Sequence, residues 1–422
     1  MSPLRRRSFA LFIFGAGLNA IGTWATLIAL WGYAAYRFHA TPGGIAAIGL
    51  CWALPGALLC PIAGIPIDRL GPRRVLIASN LLGAATSATM ILAGSLGPLL
   101  ALALVHGAVQ AFGRPAAASL PPRLVDDDEL LAANSLLGAA EQSSIVFGPL
   151  VGAVAITVWS LRGAFLIDAL TFVVGAVSLV PIRPSAITPA PRTSVLTDLR
   201  EAAGLARRLP PVRFTLALSS AVYLMWAAFF VIEPIYVRDV LHRSPTVLGV
   251  FQSVFGVGLV ATSLLLPRLG DRVATAWTVA LSVVVSGVAA ALYVGTRSIE
   301  VATIAVFAWG IAVAFFVAPS RTLLQRSAPP ATHGRMFGFT EMLDGWANLV
   351  SIPVTGVVIA SIGVGPTGVG VGALAMAAGV AGLAAARRSP ELSAAAPDAA
   401  PARHETPAPS GTPEAKNLIT TG

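Results

Sequence analysis

Five carboxylates stand where a carboxylate is costly. Glu141, Asp168, Glu233, Glu341 and Asp344 lie within or beside long stretches of Ala, Val, Leu, Ile and Gly. A charge taken out of water is expensive unless something compensates it. Such acids therefore point to a cavity, a partner, or a group that exchanges protons. On a helix, Glu341, Asp344 and Asn348 share one face; they either bind a substrate or ion-pair with Arg114 or Arg321. Glu141 and Asp344 precede Pro149 and Pro353 by eight and nine residues, so their places correspond. His106, Gln110 and Arg114 recur at i, i+4 and i+8. That spacing makes one helical face, either a seam of hydrogen bonds between helices or the polar side of a cavity.

Other chemistries do not fit the pattern. His39, His106, His242, His333 and His404 have no metal-ligand spacing, so neither a metal nor a cofactor is expected. Lys416 is the only lysine, which excludes the Gly-Lys-Ser/Thr end of a nucleotide-binding phosphate loop. No Gly-x-Ser-x-Gly elbow occurs. Cys51 and Cys60 lie in one apolar run, roughly 13 Å apart along a helix, too far for a disulfide. An enzyme is not expected.

The elements that position these residues follow from composition. Of 422 residues, 56% are hydrophobic and 11% charged, with mean hydropathy +0.79. A soluble domain carries about 25% charged residues, so this chain cannot coat a water-facing surface and belongs in a bilayer. A membrane helix needs about 20 apolar residues. Twelve such runs are predicted: Phe9–Tyr36, Gly44–Pro66, Arg74–Ser95, Pro98–Ala118, Ala132–Val158, Arg162–Pro181, Arg213–Tyr236, Thr246–Pro267, Val273–Val294, Ile299–Pro319, Met336–Ser361 and Pro366–Ala386. The first run has no small-residue cleavage site behind it and reads as a retained helix rather than a signal peptide.

The net charge of +9 would suggest nucleic acid in a soluble protein. Here the arginines sit between apolar runs, so lipid is the expected partner and nucleic acid is not. One set of helix ends holds Arg5 to Arg7, Arg69, Arg73, Arg74, Arg114, Arg123, the arginines from Arg183 to Arg213, Arg268, Arg272, Arg321, Arg326, Arg335, Arg387 and Arg388. The opposite set holds Arg37, Arg162, Arg238, Arg243 and Arg297. The positive-inside rule then puts both termini in the cytoplasm.

Residues 1–181 form an expected N-terminal six-helix half, 182–212 a cytoplasmic linker and 213–388 a C-terminal half. Residues 389–422, rich in Ala, Pro, Glu and Thr, read as a disordered tail whose removal is harmless. The halves look like repeats: Asp68-Arg69 and Asp271-Arg272, Arg114 and Arg321, and Pro149-x-x-Gly152 and Pro353-x-x-Gly356 recur at offsets of 203, 207 and 204.

Three motifs carry a family resemblance. Gly64-Ile-Pro-Ile-Asp68-Arg69-Leu-Gly71-Pro-Arg73-Arg74 is a tight turn in which Gly71 allows positive φ. It resembles the loop signature of the major facilitator superfamily, with Pro66 and Pro72 as departures. Ser144-Ile-Val-Phe-Gly148-Pro149-Leu-Val-Gly152-Ala153 is similar to that superfamily's antiporter signature in helix five. Its small residues also suit plain close packing. Phe112-Gly-Arg114-Pro115 through Arg123, Leu131-Ala-Ala-Asn134-Ser, and Phe165-Leu-Ile-Asp168-Ala-Leu-Thr-Phe172 resemble the macrolide-efflux and enterobactin-exporter branch.

The resemblance implies an all-α membrane fold of two six-helix repeats. It implies export of a drug, antibiotic, siderophore or other metabolite from a bacterial cytoplasmic membrane, by proton antiport, from a monomer. Import by the same fold, or export of one biosynthetic product, are the alternatives. Gly64, Asp68, Arg69, Gly71, Arg73, Asp271 and Arg272 become gate residues. Asp168, which matches the branch pattern, leads the proton-coupling candidates, followed by Glu141, Asp344, Glu341, Glu233 and His106. In the family, helices one, four, seven and ten line the cavity. Asn19, Thr23, Trp24, His106, Gln110, Arg114, Tyr223, Trp226 and Trp309 are the corresponding substrate contacts. Aromatics with a few polar groups suit a large amphipathic molecule. Gly148, Pro149, Gly152, Pro353 and Gly356 mark helix bends.

Overall fold

The apolar runs become helices in a computed structural model, which describes residues 3–59, 62–126, 129–185, 195–328, 332–389 and 392. The helices are α1 (Arg7–Gly32), α2 (Pro42–Leu59), α3 (Gly64–Leu70), α4 (Pro72–Met90), α5 (Leu96–Ala118), α6 (Leu130–Leu179), α7 (Val195–Arg208), α8 (Pro210–Asp239), α9 (Thr246–Leu269), α10 (Ala276–Gly295), α11 (Ile299–Ser327), α12 (His333–Ile362) and α13 (Val364–Arg388). No strand occurs among the described residues. Ten of these helices are long and apolar enough to cross a membrane.

Two local features reconcile ten with twelve. The fifth and sixth predicted runs are the two arms of α6, parted where Trp159 and Ser160 leave helical geometry, within the gap predicted between Val158 and Arg162. Ser160 has φ of 65°. The arms 130–158 and 161–179 are separate crossings. The third run, α4, is less apolar because Ser79, Asn80, Thr86 and Ser87 stand on it, all buried inside the bundle. Leu92, Leu264 and Leu374, by contrast, are 72–81% exposed. Apolar side chains on that scale need lipid rather than water around them.

The packing repeats. In the first set α1 packs on α6, α4 on α5 and α6, and α2 on α5. In the second, α8 packs on α12 and α13, α10 on α11 and α13, and α9 on α11. Two seams join the sets, α6 against α9 and α2 against α12. Small residues make the first seam close: a Cβ on Gly249 would stand 2.6 Å from the Pro149 carbonyl oxygen, and one on Gly256 2.9 Å from that of Ile145. At the second seam, a Cβ on Gly356 would meet the Ala46 Cβ at 2.9 Å. Gly148 and Gly152 turn the other face of α6 onto α1, with Trp24 and Ala25 against them. Pro149 and Pro353 lie within continuous helices, and the one break described in α6 is at residues 159 and 160.

Helix ends differ on the two sides of the bundle. On one side the connections are 38–41, 91–95, 159–160, 240–245, 296–298 and Gly363, none longer than six residues. The opposite side carries the longer connections and most of the arginines. There, Gly71 takes φ of 83° between α3 and α4, the positive φ its glycine permits. Arg73 donates from Nε to the Leu179 carbonyl at 2.9 Å and from its terminal nitrogen to that of Val180 at 2.5 Å. A cation on the free carbonyls of a helix C-terminus is favourable, so Arg73 fastens the start of α4 to the end of α6. Arg6 pairs with Asp126 and Glu129 across the same side.

Leu392, within the expected tail, is buried against Ala276 and Leu323. Residues 393–422, including Lys416, lie outside the described residues, as do His404 and Cys60.

Candidate functional site

Between the two sets of helices lies a cavity of about 680 Å3. Its walls come from α1 (Trp24, Leu27, Trp31), α6 (Gln142, Ile145), α8 (Tyr223, Trp226, Phe229, Phe230, Glu233), α9 (Phe251, Gln252, Phe255), α11 (Trp309, Phe316, Arg321) and α12 (Glu341, Asp344). The aromatic rings brace one another. Phe229 meets Trp309 edge-on at 4.6 Å between centroids, Trp31 meets Phe230 at 5.0 Å and Phe255 meets Trp309 at 5.7 Å.

One end of the cavity is sealed. Leu30, Trp31, Ile232, Ile235, Tyr236 and Leu248 are buried together there. Arg238 crosses from α8 to the end of α1 and donates to the carbonyls of Ala35 and Ala40, both at 3.0 Å. Asp239 holds the same guanidinium from the side at 2.5 and 2.8 Å. At the other end Arg114, Glu141, Arg321 and Glu341 are exposed, so the cavity opens on the arginine-rich side.

Glu233 stands at the sealed end, 4% exposed. Tyr293 donates its hydroxyl to Oε1 at 2.8 Å, and Gln252 donates its amide to Oε2. Glu341 and Asp344 line the open end; Asn348 donates to Asp344 Oδ2 at 3.3 Å. Glu141 lies within electrostatic reach of Arg114, Arg321 and Glu341, and Asp344 of Glu341 and Arg114. Among the described residues no ion pair joins Glu341 or Asp344 to either arginine.

The structure brings together Trp24, Tyr223, Trp226, Trp309, Glu233, Glu341 and Asp344 around this cavity. It separates from them most polar residues of the first six helices, which differs from the cavity face expected for helix four. Gln110 donates to Thr23 Oγ1 at 3.4 Å, Thr23 to the Asn19 carbonyl at 3.0 Å, and Asn19 to Asn80 Oδ1 at 3.2 Å. These bonds close a seam between α1, α4 and α5. His106 is 0% exposed, stacked on Trp52 at 5.0 Å and edge-on to Phe172 at 5.5 Å. Thr86 gives its hydroxyl hydrogen to Gly83 at 2.9 Å, so its Oγ1 accepts from His106 Nδ1 at 3.2 Å. Arg114, at the end of this face, is exposed at the open side.

Asp168 belongs to the same interior. It is 0% exposed, and Thr26 and Ser87 donate hydroxyls to its Oδ2 at 2.8 and 2.5 Å. Asp168 does not line the cavity, because α1 and α4 close over it. Asp68 and Arg69 are exposed on α3 and Arg272 on the turn after α9. The Asp271 side chain lies outside the described residues. Gln142, Gln252 and Tyr293 escaped the sequence reading. A glutamine within an apolar run, as at 142 and 252, was the available signal; Tyr293 gave none.

A family model, the Major Facilitator Superfamily, matches residues 12–232 and 215–416. The chain belongs to that superfamily. It is a multi-pass membrane transporter acting on a small-molecule substrate, and not an enzyme. Curated relatives include an uncharacterised MFS-type transporter, YfiS, of Bacillus subtilis, 25% identical over 86% of this chain and 89% of that one. Macrolide efflux protein A of Streptococcus pyogenes is 20% identical over 74% and 79%. Among solved structures, a point mutant of the nucleoside transporter NupG aligns with a TM-score of 0.73 at 12% identity, covering 89% of this chain and 99% of that one. A bacterial homologue of the human lysosomal transporter Spinster, inward-facing and occupied, aligns at 0.71 and 14% identity over 94% and 99%. These likenesses support the fold.

Proposed function

We propose that this transporter exports small molecules by proton antiport and alternating access. Residues 1–181 and 213–388 are the two halves that rock, 182–212 is the cytoplasmic linker and the last residues are a tail. The arginine-rich side faces the cytoplasm of a bacterial cell, so the cavity is open to the inside. Gly64, Asp68, Arg69, Gly71 and Arg73, with Asp271 and Arg272 in the second half, act at the cytoplasmic gate.

The observation that carries this reading is the cavity itself. It is aromatic, opens where positive charge collects and ends blind at a buried carboxylate. A substrate entering from the cytoplasm reaches Glu233 without crossing the seal made by Arg238. Among the six candidate proton groups, Glu233 is favoured because it alone is both buried and in contact with the cavity. The likeness to macrolide efflux proteins supports export as the direction.

The test is proton movement in everted vesicles, where an exporter pumps substrate into the lumen. Macrolides, other lipophilic drugs and siderophores form the panel. The expected result is compound-dependent proton release from the acid interior, absent in Glu233→Gln. Accumulation in right-side-out vesicles instead would make the protein an importer. Asp68→Asn is expected to cripple transport with insertion intact; a fully active variant would remove the gate assignment.

A further inference from the structure

The cavity has a charge bias that the aromatic lining alone does not explain. Glu233, Glu341 and Asp344 line it, and Arg321 is the one basic residue among its described walls. Arg321 stands at the open end. The sealed end therefore holds a carboxylate whose partners are neutral, the hydroxyl of Tyr293 and the amide of Gln252. Beside it are the rings of Phe229, Phe230, Phe251 and Trp309. Ring faces attract cations, and an unpaired acid in a low-dielectric pocket attracts them more strongly than in water.

We propose that the substrate is an amphipathic organic cation, its apolar body held by the aromatic walls and its positive charge drawn to Glu233. Glu341 and Asp344 form a second, outer station. They stand on α12 at the open end, short of pairing with Arg114 or Arg321, so a passing cation meets carboxylates not already neutralised by direct contact. Inorganic anions and acidic metabolites are disfavoured, because no basic group lines the sealed end among the described residues. This inference rests on the reading of the cavity as the transport site, but it is independent of direction and of coupling to protons.

Tetraphenylphosphonium and tetraphenylborate share a shape and differ in sign, and neither can gain or lose a proton. Their affinities for the purified full-length protein in detergent micelles are measured by equilibrium dialysis, with protein-free micelles subtracted. The phosphonium is expected to bind about tenfold or more tightly than the borate, and Glu233→Gln to lose about tenfold of that affinity. Asp344→Asn and Glu341→Gln should each lose less, about two- to fivefold, since both sit nearer water. Equal affinity for the two ions, or preference for the borate, overturns the proposal. So does a folded Glu233→Gln that binds the phosphonium normally. Should that variant misfold, the two α12 variants decide: unchanged binding in both overturns the proposal. Phosphonium binding by a protein that exports nothing defeats the export reading and leaves this one standing. Export of neutral compounds without a charge preference does the reverse.

Discussion

Asp168 and Glu233 are both buried acids held by two neutral donors, yet they face different things. Asp168 is enclosed by α1, α4 and α6 and accepts from Thr26 and Ser87; Glu233 borders open space. The difference predicts opposite mutational behaviour. Asp168→Leu leaves two buried hydroxyls without an acceptor, at about 1–3 kcal/mol each, and should lower the melting temperature sharply. Asp168→Asn keeps an acceptor and should transport with its proton coupling intact. Loss of coupling in a stable Asp168→Asn protein would return that residue to the proton pathway. Glu233→Gln should melt close to the parent and fail in coupled transport. The sequence made both acids visible as charges inside apolar runs. It could not tell them apart, because which side of α6 or α8 faces the cavity depends on helices far away in the chain.

At the scale of helices, two contacts between the halves should govern motion. Gly249 lets α9 lie against the Pro149 carbonyl of α6. Gly249→Leu inserts a side chain where even a Cβ lacks room, and overpacking of that kind costs about 1–3 kcal/mol. Reduced transport in a protein that still inserts is expected, measured as the initial uptake rate in everted vesicles. Arg238 bridges the halves at the sealed end. Arg238→Ala removes two donors from two carbonyls and should shift the population toward a state open on that side. The check is the labelling rate of a cysteine placed at Phe38, expected to rise; an unchanged rate would detach Arg238 from the seal. The helices themselves were legible, since apolar length and arginine spacing are local properties. The turn between the fifth and sixth runs was legible too, since the predicted gap between Val158 and Arg162 is where Trp159 and Ser160 leave helical geometry. For helix four the sequence left a seam and a cavity face both open, because the partners that decide between them, Thr23 for Gln110 and Thr86 for His106, lie on α1 and α4.

For the molecule as a whole, the two repeats have taken different roles. Polar groups of the first six helices mostly bond to one another, whereas those of the second six border the cavity. The same asymmetry bears on the C-terminus. Leu392 is buried against Ala276 and Leu323, and burying a leucine is worth about 1.5–3 kcal/mol. Truncation after Ser389 should therefore lower thermal stability measurably, while truncation after Ser393 should be silent in melting and in transport.

The shortness of every connection on the sealed side has a practical result. A protease must draw a length of backbone into its own cleft, and connections of six residues or fewer, anchored in helices at both ends, do not yield one. Trypsin should cut this protein from the arginine-rich side only, where the sequence between α6 and α7 offers the Arg192-Thr193 bond; Arg183 precedes Pro184 and resists the enzyme. Digestion of everted and right-side-out vesicles in parallel then becomes a compass: the vesicles whose protein is nicked declare which face of the bundle looks into the cell.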